Sequence, residues 1–175
     1  DSTEVRLGDV DSGTPSSATD GALNVNLGAA AIGISVGYAS KDSDIDAYIG
    51  EAGKLVDGYQ NINLSAMNQG MVKSTAFALS GGLLAGVQGV ITETHDDSNV
   101  NSTISGTIGT GSGVVNVDAQ SAPELYASSY GVTVGGGAAM GGSFAYALTE
   151  TKAQAEVANG TIFNGSGDVV IRSET

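Results

Sequence analysis

The segment Leu55-Val56-Asp57-Gly58-Tyr59-Gln60-Asn61-Ile62-Asn63-Leu64 reads as a turn running into a strand. Asp before Gly is turn chemistry: Gly takes positive φ at no steric cost, and Asp closes the turn on its own backbone. Ile62 and Leu64 then alternate with Asn61 and Asn63, the period of a half-buried strand. The pattern returns as Ile108-Gly109-Thr110-Gly111-Ser112-Gly113-Val114-Val115-Asn116-Val117 and as Ile162-Phe163-Asn164-Gly165-Ser166-Gly167-Asp168-Val169-Val170-Ile171. In every copy Leu or Ile precedes a Gly by three positions, and apolar residues follow that Gly by four and by six. Val117 lies 53 residues after Leu64, and Ile171 lies 54 after Val117. Leu7, in Val5-Arg6-Leu7, fits the same slot 57 residues before Leu64.

Between these anchors run long alternating segments of small and apolar residues. The even positions from Val132 to Leu148 keep one phase, and so do the odd positions from Phe77 to Ile91. In the first repeat Leu23, Val25 and Leu27 are odd, whereas Ile32, Ile34, Val36 and Tyr38 are even. The slip falls at Gly28-Ala29-Ala30-Ala31 and predicts a bulge or corner. A polar stretch follows in each repeat, then a short strand ending at Ile49, Ile104 or Val157. Residues 1–175 therefore read as a single repetitive β domain. Its repeats are 5–61, 62–114 and 115–168, with a further one starting at 169–175.

An all-β repeat cannot bury its face alone and must stack on its neighbours. The predicted fold is a β-solenoid of about three repeats of roughly 55 residues, each making two coils or one long flattened coil. The alternative is a β-sandwich with duplicated halves. Small inward residues would let the two sides of a flattened coil approach. In-register stacking predicts one inward column of Leu7, Leu64, Val117 and Ile171, and a column of turns at Gly58, Gly111 and Gly165.

Composition narrows the function. The chain of 175 residues has 27 Gly, only 2 Pro and no Trp, and only 14% of it is charged, so it reads as ordered but built from small side chains. Asp and Glu outnumber Lys and Arg by 19 to 6. That balance lacks the basic footprint of a nucleic-acid binder and disfavours an anionic membrane surface. Neither a signal peptide nor an apolar run long enough to span a membrane is visible, and the expectation is of no membrane insertion. The absence of cysteine excludes disulfides, thiolate metal sites and cysteine nucleophiles.

The run Val134-Gly135-Gly136-Gly137-Ala138-Ala139-Met140-Gly141-Gly142-Ser143-Phe144-Ala145 resembles the glycine-alanine core of repeats in giant bacterial surface proteins, the filamentous-haemagglutinin-like and leukotoxin-like adhesins. Asp46-Ala47-Tyr48-Ile49-Gly50 and Gly113-Val114-Val115-Asn116-Val117-Asp118-Ala119 carry the same likeness. Two departures stand out: the third repeat lacks an Asp cluster, and the second reads Gly81-Gly82-Leu83-Leu84 where Gly-Ala is usual. The resemblance implies a β-solenoid, export to the cell surface by a signal outside this chain, and a stalk or adhesive filament. It implies no catalytic residues.

Candidate chemistry is thin. His95 is the one histidine and reads as a solvated loop residue. Asp42, Asp44 and Asp46, the pair Asp96 and Asp97, and Asp9-Val10-Asp11 could offer oxygen ligands to calcium. They lack the Gly turn and distal Glu of a helix-loop-helix calcium site, so they read as charge guarding strand edges. The glycine runs lack the Lys-Ser/Thr of a phosphate loop. No catalytic, cofactor-binding or metal residue is assigned, and no cofactor. The expected function is a non-enzymatic segment or subunit of an extracellular fibre. Its expected partner is itself, or adjacent repeats, end to end through the terminal strands. The alternatives are a module binding a surface or host glycan, and a β-sandwich subunit of a self-assembling filament.

Overall fold

The computed structural model describes residues 3–11, 16–25, 29–50, 54–55, 59–111 and 113–175. Its regular elements are all β-strands. The first five are β1 (Thr3–Asp11), β2 (Ser16–Val25), β3 (Ala30–Lys41), β4 (Asp44–Ile49) and β5 (Lys54–Leu55). The second five are β6 (Tyr59–Asn68), β7 (Met71–Gly82), β8 (Ala85–Asp96), β9 (Asn99–Ile104) and β10 (Thr107–Gly111). The third are β11 (Val115–Ser121), β12 (Glu124–Gly135), β13 (Ala138–Thr149), β14 (Lys152–Val157) and β15 (Ile162–Gly165), and β16 (Val169–Glu174) follows.

Each strand pairs with the strand five places further along. The sheets are β1-β6-β11-β16, β2-β7-β12, β3-β8-β13, β4-β9-β14 and β5-β10-β15. The pairs are parallel. A repeat thus contributes one strand to each of the five sheets.

The expected registers are present. Leu7 stands opposite Leu64, Leu64 opposite Val117, and Val117 opposite Ile171. Leu64 and Val117 are buried, whereas Ile171 is 49% exposed because few strands close over β16. Ile49, Ile104 and Val157 are likewise in register. Gly111 pairs with Gly165 across a register shift that leaves Thr110 as the extra residue. Gly58, the third member of that column, lies outside the described residues, as does Gly28 of the phase slip.

The slip itself is explained by counting. Gly81 pairs with Val25, and Ala85 pairs with Ala30. Three residues separate Gly81 from Ala85, and four separate Val25 from Ala30. One extra residue at the corner exchanges odd for even. Between β7 and β8 the corner is Leu83-Leu84, and between β12 and β13 it is Gly136-Gly137. A two-residue corner preserves parity, so those segments show unbroken alternation although the chain folds back there.

Two different interiors result. The short strands enclose an aliphatic core of Ile45, Ile49, Ile62, Leu64, Val100, Ile104, Ile108, Val115 and Val117. The long strands β2, β3, β7, β8, β12 and β13 form a two-layered wing with an interior of small or polar side chains. From β7 it buries Val72, Ser74, Ala76, Ala78 and Ser80, and from β3 Ala31, Ser35 and Ala39. The layers lie close together. A Cβ built on Gly37 would sit 3.0 Å from Ser74 Oγ and 3.2 Å from Ala76 Cβ, and one on Gly33 would sit 3.3 Å from the Leu79 carbonyl oxygen.

These packings predict opposite mutational responses. In the aliphatic core, Leu64→Ala should cost ~2–5 kcal/mol, because it removes buried methyl groups and leaves a cavity. In the wing, Ala78→Leu should cost ~1–3 kcal/mol or more by overpacking, whereas Phe77→Thr on its outer face should cost less than ~1 kcal/mol. Urea unfolding of the three variants checks the order.

Candidate functional site

Three polar arrangements and one apolar surface hold the side chains with functional potential. The first polar arrangement is a set of ladders on the outside of the short strands. Asn116 Nδ2 donates to Asn63 Oδ1 at 2.6 Å, and Val114 N donates to Asn61 Oδ1 at 3.0 Å. Asn99 Nδ2 donates to Asp44 Oδ1 at 3.1 Å, and Asn101 Nδ2 to Asp46 Oδ1 at 3.0 Å. Two carboxylates of the first Asp cluster, Asp44 and Asp46, are therefore engaged by the amides of the next repeat. Among the described residues, no group of three or more His, Asp or Glu side chains gathers as metal ligands do.

The second is a buried cluster where the wing joins the aliphatic core. Asn68 Oδ1 accepts from Lys41 Nζ at 2.8 Å and from Gly70 N at 3.2 Å. Its Nδ2 faces Ser121 Oγ at 3.3 Å and Asp96 Oδ2 at 3.5 Å. Ser98 Oγ donates to Asp96 Oδ1 at 2.5 Å. Asn68 thus links an ammonium to a carboxylate at the point where β6 turns into β7 and β8 turns into β9. Asp96 is fully buried, which corrects its reading as an edge-guarding surface charge paired with Asp97. Asp96 is the last residue of β8 and stands in phase with the buried Thr92 and Thr94, so strand alternation aims it inward.

The third surrounds His95. It lies on β8 and not in a loop, and its side chain is partly buried. Its Nε2 is 3.8 Å from a carboxylate oxygen of Glu150. Next to it, Tyr38, Glu93 and Tyr146 form one outward column across β3, β8 and β13. A hydrogen bond to Glu93 raises the Tyr146 phenol above its ordinary value, and one to Glu124 does the same for Tyr126. Tyr126 Oη donates to Glu124 Oε2 at 3.2 Å.

The apolar surface is the outside of the wing, and the sequence reading did not assign it. On one face stand Ile32, Ile34 and Val36 of β3, Val87 and Ile91 of β8, and Met140, Phe144 and Leu148 of β13, all exposed. The other face presents Phe77, Tyr130, Val132 and Val134, and the corner presents Leu83 and Leu84. β7 and β8 are each paired on both edges, yet Phe77 and Val87 remain 42% exposed and Leu84 64%. Their exposure therefore comes from facing outward and not from lying at a sheet edge. A signal was present in the sequence: residues 21–40, 74–92 and 125–149 contain no charged side chain.

Comparison of the chain with family models, with curated proteins and with solved structures finds no match.

Two predictions follow from the polar groups. Asn68→Ala should cost ~1–3 kcal/mol in thermal or urea melts, since it strips the linking amide from a partly buried ammonium and a buried carboxylate. Joint replacement Asp44→Asn and Asp46→Asn should leave the melting temperature unchanged or slightly higher, because it removes like-charge repulsion on one strand. Added calcium should not shift the melting of the wild-type chain; a rise of many degrees would assign the Asp ladder to a cation.

Proposed function

We propose that the chain is a non-enzymatic structural segment of an extracellular bacterial fibre or adhesin stalk, folded as a β-solenoid. The observation that carries this reading is the pairing of every strand with the one five places on, in parallel and nearly constant register. The five sheets are then the sides of one stack, and each repeat is one coil. A β-sandwich of duplicated halves is built mainly from antiparallel strands joined by hairpins and Greek-key connections, so parallel pairing favours the solenoid. The apolar core supports a structural role: Leu64 packs over Val117, and Ile49 over Ile104, so burial is spent on joining one repeat to the next. The likeness of the glycine-alanine runs to repeats of surface adhesins supports export.

A stack of this kind grows by one strand spacing, ~4.8 Å, per repeat. A tandem array of about twenty repeats should therefore scatter X-rays in solution as a rod of constant cross-section, with a stack length of roughly 100 Å. Globular scaling, or growth several times larger per repeat, would overturn the solenoid. Antibodies raised against the chain should label intact cells of its source. Labelling that needs permeabilised cells would overturn the assignment to the surface.

A further inference from the structure

We propose that the wing is a lipid-inserting element: its two outer faces and its corner enter the acyl layer of a zwitterionic phospholipid membrane, corner first. The proposal stands apart from the fibre reading and rests on the wing alone.

Four observations converge on hydrocarbon as the occupant. First, the apolar surface surrounds the wing. Ile34, Ile91 and Phe144 lie on one face, Phe77, Tyr130 and Val132 on the other, and Leu83-Leu84 at the corner, all exposed. A second copy laid on one face would leave the opposite face and the corner in water, whereas a liquid hydrocarbon covers all three. Second, charge is segregated. All 25 charged residues, 19 acidic and 6 basic, fall outside the spans 21–40, 74–92 and 125–149. The acidic excess that disfavours an anionic membrane surface thus lies outside the wing's apolar part, and it is why the partner is a zwitterionic lipid.

Third, the dimensions fit. Tyrosines stand at the foot of the apolar band, Tyr38 and Tyr146 on one face and Tyr126 on the other, each presenting an apolar ring and a polar tip. Tyr146 lies eight positions after Ala138, and Val134 eight positions after Tyr126, or ~26 Å of strand. The apolar band of membrane β-structures is ~25 Å tall and is edged by aromatic girdles. Fourth, three hydroxyls inside the wing bond to its own backbone, as an apolar medium favours, whereas Ser74 Oγ, Gln88 Oε1 and Thr133 Oγ1 have no hydrogen-bond partner. Ser80 Oγ donates to Ala31 O at 3.1 Å, Thr92 Oγ1 to Ser128 O at 3.2 Å and Thr94 Oγ1 to Tyr126 O at 3.0 Å. The parallel ladders satisfy both edges of β7 and β8. Hydrocarbon tolerates no open sheet edge. Insertion therefore goes with pairing of the outer wing strands to a neighbouring wing, from adjoining repeats or a further copy.

The chain contains no tryptophan, so a single one is a clean reporter. Leu84→Trp places it at the corner, and Gln154→Trp places it on an exposed short strand as control. Both variants would be mixed with phosphatidylcholine vesicles carrying bromine on the acyl chains, with far-UV circular dichroism confirming the wild-type β signal. The corner tryptophan should shift to the blue and lose more than half its emission to bromine, and the control should do neither. The unmodified chain should float with the vesicles, and Ile91→Asp with Phe144→Asp should cut that fraction at least tenfold. A corner tryptophan that stays in water, or a wild-type chain that does not float, would overturn the proposal. So would a blue shift that needs no lipid, grows with protein concentration and resists bromine, which would assign the wing to a second copy of the chain. None of these outcomes bears on rod growth or surface labelling, so the fibre reading is tested separately.

Discussion

Parallel pairing at a fixed sequence interval is the constraint on which the remaining features depend. A parallel strand cannot find its partner in the next strand along the chain; it needs a crossover of a dozen or more residues. Here the crossover is the remaining four strands of the repeat. Backbone N–H and C=O groups of β7 are therefore satisfied only by β2 and β12, each in another repeat. The same holds for the side chains, since Leu64 is buried by Val117 and by the short strands around it. A repeat alone leaves these groups unpaired, and changes of length fall in the turns and at bulges such as those at Thr110 and between Thr3 and Glu4. The interval is 57 residues at Leu7 and Leu64, 55 at Ile32 and Val87, and 53 at Leu64 and Val117, with the differences absorbed between strands.

On that scaffold the chain runs two side-chain programmes. In the short strands aliphatic residues point inward and Asn, Asp and Gln point out. In the wing the order is inverted. The inversion is made possible by small residues: Ala76, Ala78, Gly33 and Gly37 let the layers approach until backbone and Cβ atoms fill the gap, so no bulky core is needed. Asn68, Lys41 and Asp96 sit at the boundary between the two programmes and satisfy one another where neither pattern holds.

Much of the ladder was legible because turn chemistry and period-2 alternation are local. The Gly of each anchor turn fixed the phase of Leu64, Val117 and Ile171, and the strands ending at Ile49, Ile104 and Val157 came with it. The direction of the wing strands was not legible. Alternation says that Phe77 and Ala78 face opposite ways, but not which faces in; that depends on how near the second layer comes. The corner at Leu83-Leu84 was hidden by its even length. Asp96 looked like half of an exposed acidic pair, because Asn68, whose amide faces it, and Lys41, which bonds Asn68, lie 28 and 55 residues away in the chain. His95 looked like a loop residue because the polar stretch around it conceals the last turn-free residues of β8.

The one-strand-per-repeat geometry has a mechanical consequence for any stack built this way. Strands lie across the axis, so hydrogen bonds run along it, and tension applied at the two ends of the chain peels the outermost layer first. Each layer occupies ~4.8 Å of the axis yet stores about 54 residues, or ~180 Å of extended backbone. A filament of such layers would answer overload by paying out slack one repeat at a time, lengthening more than thirtyfold where it yields while the layers behind stay folded. The alternation of a stiff stack with a long hidden reserve is set by strand direction alone, before any side chain is considered.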